Sequence, residues 1–312
     1  MDNLSPPIDF SRPIDHAVFK NRVALITGGA SGIGEGVARA LASHGALVAI
    51  VDFNASLGEA LAKELTAQGQ KAKFFKCDVT DWSQQAQVFK DTVAWGDGRL
   101  NLVIPSAGLG ATSLKAELEK VHHIDSPVEP NLRVLDVNLK GVYFTTSLAL
   151  HYFWHLAASP APQLCLIASL AGYTGLPMAA DYCASKFGVR GLWKTLRVNG
   201  GSREMGGCQV NLIAPTYIRT PMTGDICDKL EAGGIKVGVV GDVVAAVLRA
   251  VGDERVDGRA ICACAGGEGG EGSRNFDLED DLEHGDGALR LRAATEKDGP
   301  LGAITGVSRN QK

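Results

Sequence analysis

The sequence predicts an α/β fold, one doubly wound parallel sheet of about seven strands with helices on both faces. Three observations carry this expectation. Short β-branched runs alternate with longer Ala- and Leu-rich stretches from residue 21 onward. The short runs are apolar at nearly every position, which implies burial on both faces of a parallel sheet. The first of them runs directly into a glycine-rich turn that opens a helical stretch. In chain order the strand-like runs are 23–26, 47–51, 73–77, 100–104, 164–168, 210–213 and 259–262. Between them, 33–43, 56–68, 82–95, 131–155 and 182–198 read as helices. Right-handed crossovers make such an alternation doubly wound.

Residues 20–265 are expected to form one domain. Residues 1–19, with Pro6, Pro7 and Pro13 and no apolar core, read as an extended N-terminal arm and not a secretory signal. Residues 266–312 begin with a glycine run and continue into an acidic segment, which predicts a solvated, mobile C-terminal tail; a cap over a substrate mouth or a neighbouring subunit is the other reading. The net charge is −4 with no basic run, so no nucleic-acid partner is expected. No apolar run reaches the length of a membrane span. Seven scattered cysteines read as reduced thiols, which points to a cytoplasmic protein. His151 and His155 have the spacing of a metal pair, but aromatic residues lie between them and no metal site is expected.

The glycine-rich turn has the chemistry of a phosphate cradle. Gly28, Gly32 and Gly34 let the backbone turn tightly, and the helix that follows presents unpaired N–H groups and a positive dipole end. The alternative is a tight strand–helix turn without a ligand. Asp52 ends the second strand, where a carboxylate can accept both hydroxyls of an adenosine ribose and repel a 2′-phosphate. Ala30 and Phe53 supply no cation there, so NAD is favoured over NADP. Asp78, after the third strand, faces either the adenine amino group or serves as a helix N-cap.

Tyr182 and Lys186 stand four apart at the start of a helix and share a face. A phenol is a poor base at neutral pH, and a neighbouring ammonium together with a positively charged nicotinamide pulls its pKa down. Ser169 closes the fifth strand, at the sheet end where ligands bind. Asn138 lies within a long helical stretch, where an amide is either a solvent relay or a polar surface position.

Residues 27–34 with Asp78, Asn138, Ser169, Tyr182 and Lys186, in this order, resemble the short-chain dehydrogenase/reductase family over residues 20–265. The branch is similar to hydroxyprostaglandin dehydrogenase and to fungal hydroxyaverantin dehydrogenases, through segments 129–132, 148–153, 169–173, 188–192 and the acidic 277–281. The resemblance implies a Rossmann-type fold. It also implies that Tyr182 moves the alcohol proton and that Lys186 binds the nicotinamide ribose and lowers the tyrosine pKa. Ser169 would then hold the reacting oxygen, and Asn138 a water that joins Lys186 to solvent. Cofactor contacts would come from Gly28, Ser31, Gly32, Ile33, Gly34, Asp52, Asp78, Val79 and Ser106, with Pro215, Ile218 and Thr220 at the nicotinamide. Two positions depart from the family pattern. Ser106 replaces an asparagine, and Thr216 replaces a glycine.

The expected activity is oxidation of a hydrophobic secondary alcohol to a ketone with NAD, in fungal secondary metabolism. A carbonyl reductase using NAD(P)H is the alternative, and a catalytically silent cofactor-binding regulator is the rival from another class. Residues 221–240 would be the lid over the substrate, with Met222, Ile226, Leu230 and Ile235 as its apolar positions. A homodimer or homotetramer is expected through the helices around 131–155 and after Tyr182.

Overall fold

A computed structural model describes residues 5–119, 125, 127–156, 160–198, 207–266 and 274–280 of the protein. The first half contains β1 (Val23–Thr27), α1 (Gly32–Ser43), β2 (Leu47–Asp52), α2 (Ala55–Ala67), β3 (Lys71–Lys76), α3 (Trp82–Trp95) and β4 (Leu102–Pro105). Next come α4 (Leu114–Leu118), α5 (Arg133–Leu135), α6 (Val142–His155), β5 (Gln163–Ile167), α7 (Ala180–Val198) and β6 (Gln209–Pro215). The chain continues through β7 (Ile218–Arg219), α8 (Gly224–Ala232), β8 (Gly238–Val239), α9 (Val240–Gly252), β9 (Ala260–Ala263) and β10 (Phe276–Asp277).

The main sheet has eight strands in the order β10-β9-β6-β5-β4-β1-β2-β3, one more than expected. β1 to β6 and β9 are mutually parallel, and β10 pairs with β9 antiparallel. β7 and β8 form a separate two-stranded parallel pair. Alternate residues of each central strand enter two different cores. Val23 and Leu25 of β1 pack with Phe89 of α3, Phe153 of α6 and Trp193 of α7. Ala24 and Ile26 join Leu41 of α1, Leu61 of α2 and Val247 of α9 on the other face. Burial on both faces explains why these strands read as unbroken apolar runs. β3 is the exception. It lies at the sheet edge, and its Lys71, Lys73 and Lys76 are exposed.

The order reverses between β1 and β4, and the crevice beyond the carboxyl ends of these two strands is the switch point where such sheets bind ligands. α9 carries no turn or motif signal in the sequence. It packs against α1 at Gly36, where a Cβ would lie 2.4 Å from Val240 Cγ1.

Within the described residues both ends of the chain pack on the domain. Residues 5–19 are a fitted strap: Ser5 Oγ donates to the Asp257 carbonyl at 2.8 Å, Phe19 is fully buried, and Ile8, Phe10, Ile14 and Val18 pack on the second core. The mobile-tail expectation does not hold for residues 274–280, which complete the sheet. Phe276 and Asp277 pair with Cys262 and Ile261, and Leu278 is fully buried. Acidic residues are tolerated there because Asp277 meets Arg259 at 2.8 Å, both almost wholly buried, and accepts from the Ile8 amide at 3.0 Å. Apart from Gly266, the remainder of 266–312 lies outside the described residues. Among the described residues no helix is long and apolar enough to cross a membrane.

Candidate active site

At the switch point lies a cleft of about 340 Å³. Its floor is the glycine-rich turn between β1 and α1. Gly28 has φ +66° and Gly32 has φ +54°, the left-handed region that favours glycine. A Cβ on Gly28 would lie 2.6 Å from Ala107 Cα, and one on Gly34 would lie 2.1 Å from the Gly28 carbonyl oxygen. The turn is therefore seated on the loop after β4. Thr27 Oγ1 accepts from Ala107 N at 3.3 Å and the Thr27 carbonyl from Ser106 N at 3.2 Å, fixing that loop further. Two of the three glycines are thus required by packing alone, and it is the helix end that offers an anion its donors. Ser31 is the N-cap of α1 in extended geometry, yet its side chain makes no cap hydrogen bond. The hydroxyl and the first N–H groups of α1 are left for the cleft, which Ser31, Gly32, Ile33 and Gly34 line.

Asp52 lines the same cleft, and its two oxygens accept from Ala30 N at 3.0 Å and Asn54 N at 2.9 Å. Each oxygen keeps a further lone pair for a hydroxyl donor. Asp78 also faces the cleft. Its Oδ1 accepts from Thr80 N at 2.9 Å and Thr80 Oγ1 at 2.8 Å, and its Oδ2 faces Arg133 Nη2 at 3.2 Å. Burial alone would raise the Asp78 carboxyl, but the Thr80 and Arg133 contacts outweigh it and hold it below the usual range. The N-cap role considered for Asp78 belongs to Asp81, whose side chain accepts from Gln84 N. Val79 and Ser106 complete this end of the wall.

Ser169, Tyr182 and Lys186 meet at the other end of the cleft. Ser169 caps a short 3-10 turn, residues Leu170–Gly172, by accepting from Ala171 N at 3.1 Å, so its own proton stays available. Burial pushes the Tyr182 phenol above its usual range, and a hydrogen bond with Ser169 works against that. The lowered phenol anticipated from the sequence is thus not what the protein alone produces, because desolvation dominates. Lys186 is buried, its Nζ donates to the Ile167 carbonyl at 3.1 Å and stands 5.5 Å from the centroid of the Tyr182 ring. Burial lowers its ammonium from 10.5 to about 8.

Asn138 is set differently from expectation. It is fully buried behind the wall, in a π-helical turn, Asp136–Gly141, between α5 and α6. Its Oδ1 accepts from Leu109 N at 2.7 Å, while Nδ2 donates to Leu109 O at 2.9 Å and to Ser185 Oγ at 3.4 Å. Both ends of the amide are therefore engaged, clasping the loop after β4 to α7.

Pro215, Ile218 and Thr220 line the cleft, with Thr216 among them. Of the four apolar lid positions only Met222 reaches it; Ile226 is exposed on α8. Three contributors carry no legible signal in the sequence. Arg133 reaches the cleft from α5, and Leu109 lines it beside Met222. Asp181 ties the amide of Thr112 to the start of α7 at 2.9 Å. Their contacts span 29 to 69 residues of sequence.

The cleft's donor set suits a dinucleotide. An uncapped helix end, the Asp52 carboxylate and the Ser169–Tyr182–Lys186 group all line it. The model for short chain dehydrogenase matches residues 22–231. An NADP-dependent dehydrogenase of Phoma sp. is 42% identical over 289 residues, covering 88% of this chain and 84% of that protein. One of Cochliobolus lunatus, also named NADP-dependent, is 41% identical over 266 residues, covering 80% and 91%. A 5′-hydroxyaverantin dehydrogenase of Dothistroma septosporum is 34% identical over 307 residues, covering 89% and 94%. With this cleft and these matches, the chain belongs to the short-chain dehydrogenase family and is an oxidoreductase.

Proposed function

We propose that the protein oxidises a hydrophobic secondary alcohol to a ketone with NAD, within fungal secondary metabolism and in the cytoplasm. The observation that carries this is the convergence of Ser169, Tyr182 and Lys186 on one wall of a cleft whose floor is an uncapped helix end. When bound, the nicotinamide supplies the hydride acceptor. Tyr182 takes the hydroxyl proton of the alcohol. Ser169, anchored by the Ala171 amide, turns its own proton toward the same oxygen and holds it as charge develops. Lys186 keeps a cation beside the phenol and so favours its ionised form. Asn138 acts by clasping Leu109 and Ser185, which leaves any water relay to the main-chain carbonyls of the π turn. The apolar Leu109 and Met222 at the mouth suit a hydrophobic substrate.

Asp52 favours NAD, because its carboxylate is placed to accept ribose hydroxyls with no cation from Ala30 or Phe53 nearby. A second reading is a carbonyl reductase using NAD(P)H, and the names of the Phoma and Cochliobolus relatives favour NADP as the cofactor in either direction. Steady-state kinetics with NAD and NADP on a panel of secondary alcohols, and with NADH and NADPH on the matching ketones, separates the two. A preference for NADP would overturn the Asp52 argument. Exposed Tyr143 and Trp154 on α6 and Phe187 on α7 support a homodimer or homotetramer built on these helices.

A further inference from the structure

Tyr182, Lys186, Arg190 and Lys194 follow one another at four-residue intervals along one side of α7. The first two face the cleft, and the second two point to the C-terminal segment. Arg190 lies over the Tyr173 ring, 4.0 Å from its centroid, and donates to the Gly172 carbonyl at 3.4 Å. Both residues belong to the turn that Ser169 begins. That turn is pressed onto α7, since a Cβ on Gly172 would lie 2.8 Å from the Lys186 carbonyl oxygen. The remaining face of the Arg190 guanidinium is taken by Asp280. Nε donates to Oδ2 at 2.7 Å and Nη2 to Oδ1 at 2.9 Å, a bidentate pair. Lys194 Nζ adds a contact at 2.8 Å, and Arg197 donates to the Asp280 main-chain carbonyl. The Asp280 side chain is only 6% exposed, so its loss would leave Arg190 half-buried without a counter-charge.

We propose that Asp280 is a positioning residue for the reaction, which through Arg190 fixes the Ser169 turn against the helix that carries Tyr182 and Lys186. The inference rests on the alcohol-dehydrogenase reading of this site. Ser169 begins the turn after β5 and Tyr182 stands on α7, and the two must share one substrate oxygen. Arg190 is a side chain that joins the turn of the first to the helix of the second, and Asp280 sets its orientation. A segment that the sequence presents as a solvated tail thus reaches the chemistry from behind the cleft wall.

The test compares wild type with Asp280→Asn and Asp280→Glu, each measured well below its unfolding midpoint. In Asp280→Asn, kcat falls on the order of 10–100-fold while the dissociation constant for NAD stays within about twofold, and Asp280→Glu recovers part of the loss. Amide hydrogen exchange quickens in peptides covering residues 169–173 and is unchanged over residues 28–34. A lower unfolding midpoint with unaltered kcat would overturn the proposal, and so would an equal loss of NAD affinity. Wild-type protein that turns over no alcohol or ketone with either cofactor refutes the reading of the site instead. The exchange measurement still decides the linkage in that case, because unchanged exchange over 169–173 overturns it.

Discussion

Replacing Lys186 with methionine isolates what a buried ammonium costs this fold. The lysine is 5% exposed, and burial lowers its pKa from 10.5 to about 8. In the unfolded chain the amine titrates near its ordinary value of about 10.4. Below pH 8 the folded protein carries the desolvated cation and its full penalty. Between pH 8 and 10.5 the unfolded chain still binds a proton that the folded protein has released, so this group makes stability rise with pH. Above that window the penalty is gone. At about 1.4 kcal/mol per pH unit, the depression corresponds to about 3 kcal/mol. Methionine has similar length and does not titrate, so subtracting the two pH profiles cancels every other group. The assay is thermal unfolding of both proteins from pH 7 to 10.5 at fixed ionic strength and protein concentration. Wild type should gain on Lys186→Met by about 3 kcal/mol across the window, roughly 5–10 °C in Tm for a domain of this size. Parallel profiles would refute the burial argument.

Tyr182→Phe should lower turnover by roughly 10²–10⁴-fold while fluorescence titration shows NAD binding retained, and near-normal turnover excludes the phenol as acid/base. Gly28→Ala places a methyl 2.6 Å from Ala107 Cα at φ +66°. Its thermal midpoint should fall by the equivalent of about 2 kcal/mol or more, and an unchanged midpoint would show that the turn is not seated as described. Asn138→Ala strands the Leu109 amide and carbonyl, which should cost about 1–3 kcal/mol in urea unfolding. A loss confined to activity would return Asn138 to a purely chemical role.

The central architecture was legible because its strands are buried on both faces, so Val23 to Ile26 and Leu164 to Ala168 announce themselves by composition. The start of β3 was blurred by its alternating lysines, a consequence of its edge position. β10 left no trace. It is two residues long, and Asp277 and Asp280 are neutralised by Arg259 and Arg190, 18 and 90 residues away. Such pairings depend on the folded topology and not on local pattern. Gly28, Gly32, Gly34, Asp52, Asp78, Ser169, Tyr182 and Lys186, which line the cleft, were readable from the sequence. What spacing could not convey was the π turn that sinks Asn138 behind the wall, or Arg133 arriving from a different element.

The two margins of the sheet are guarded by different means, and this bears on how copies of the protein can meet. On one side, Lys71, Lys73 and Lys76 line the open backbone of β3 with ammonium groups, so a second such strand approaching in register would bring like charges together. On the other, the short reversed strand β10 shields β9. Filament growth by strand addition is discouraged at both margins. A contact between copies through the helical layers would depend on side-chain shape rather than on main-chain pairing.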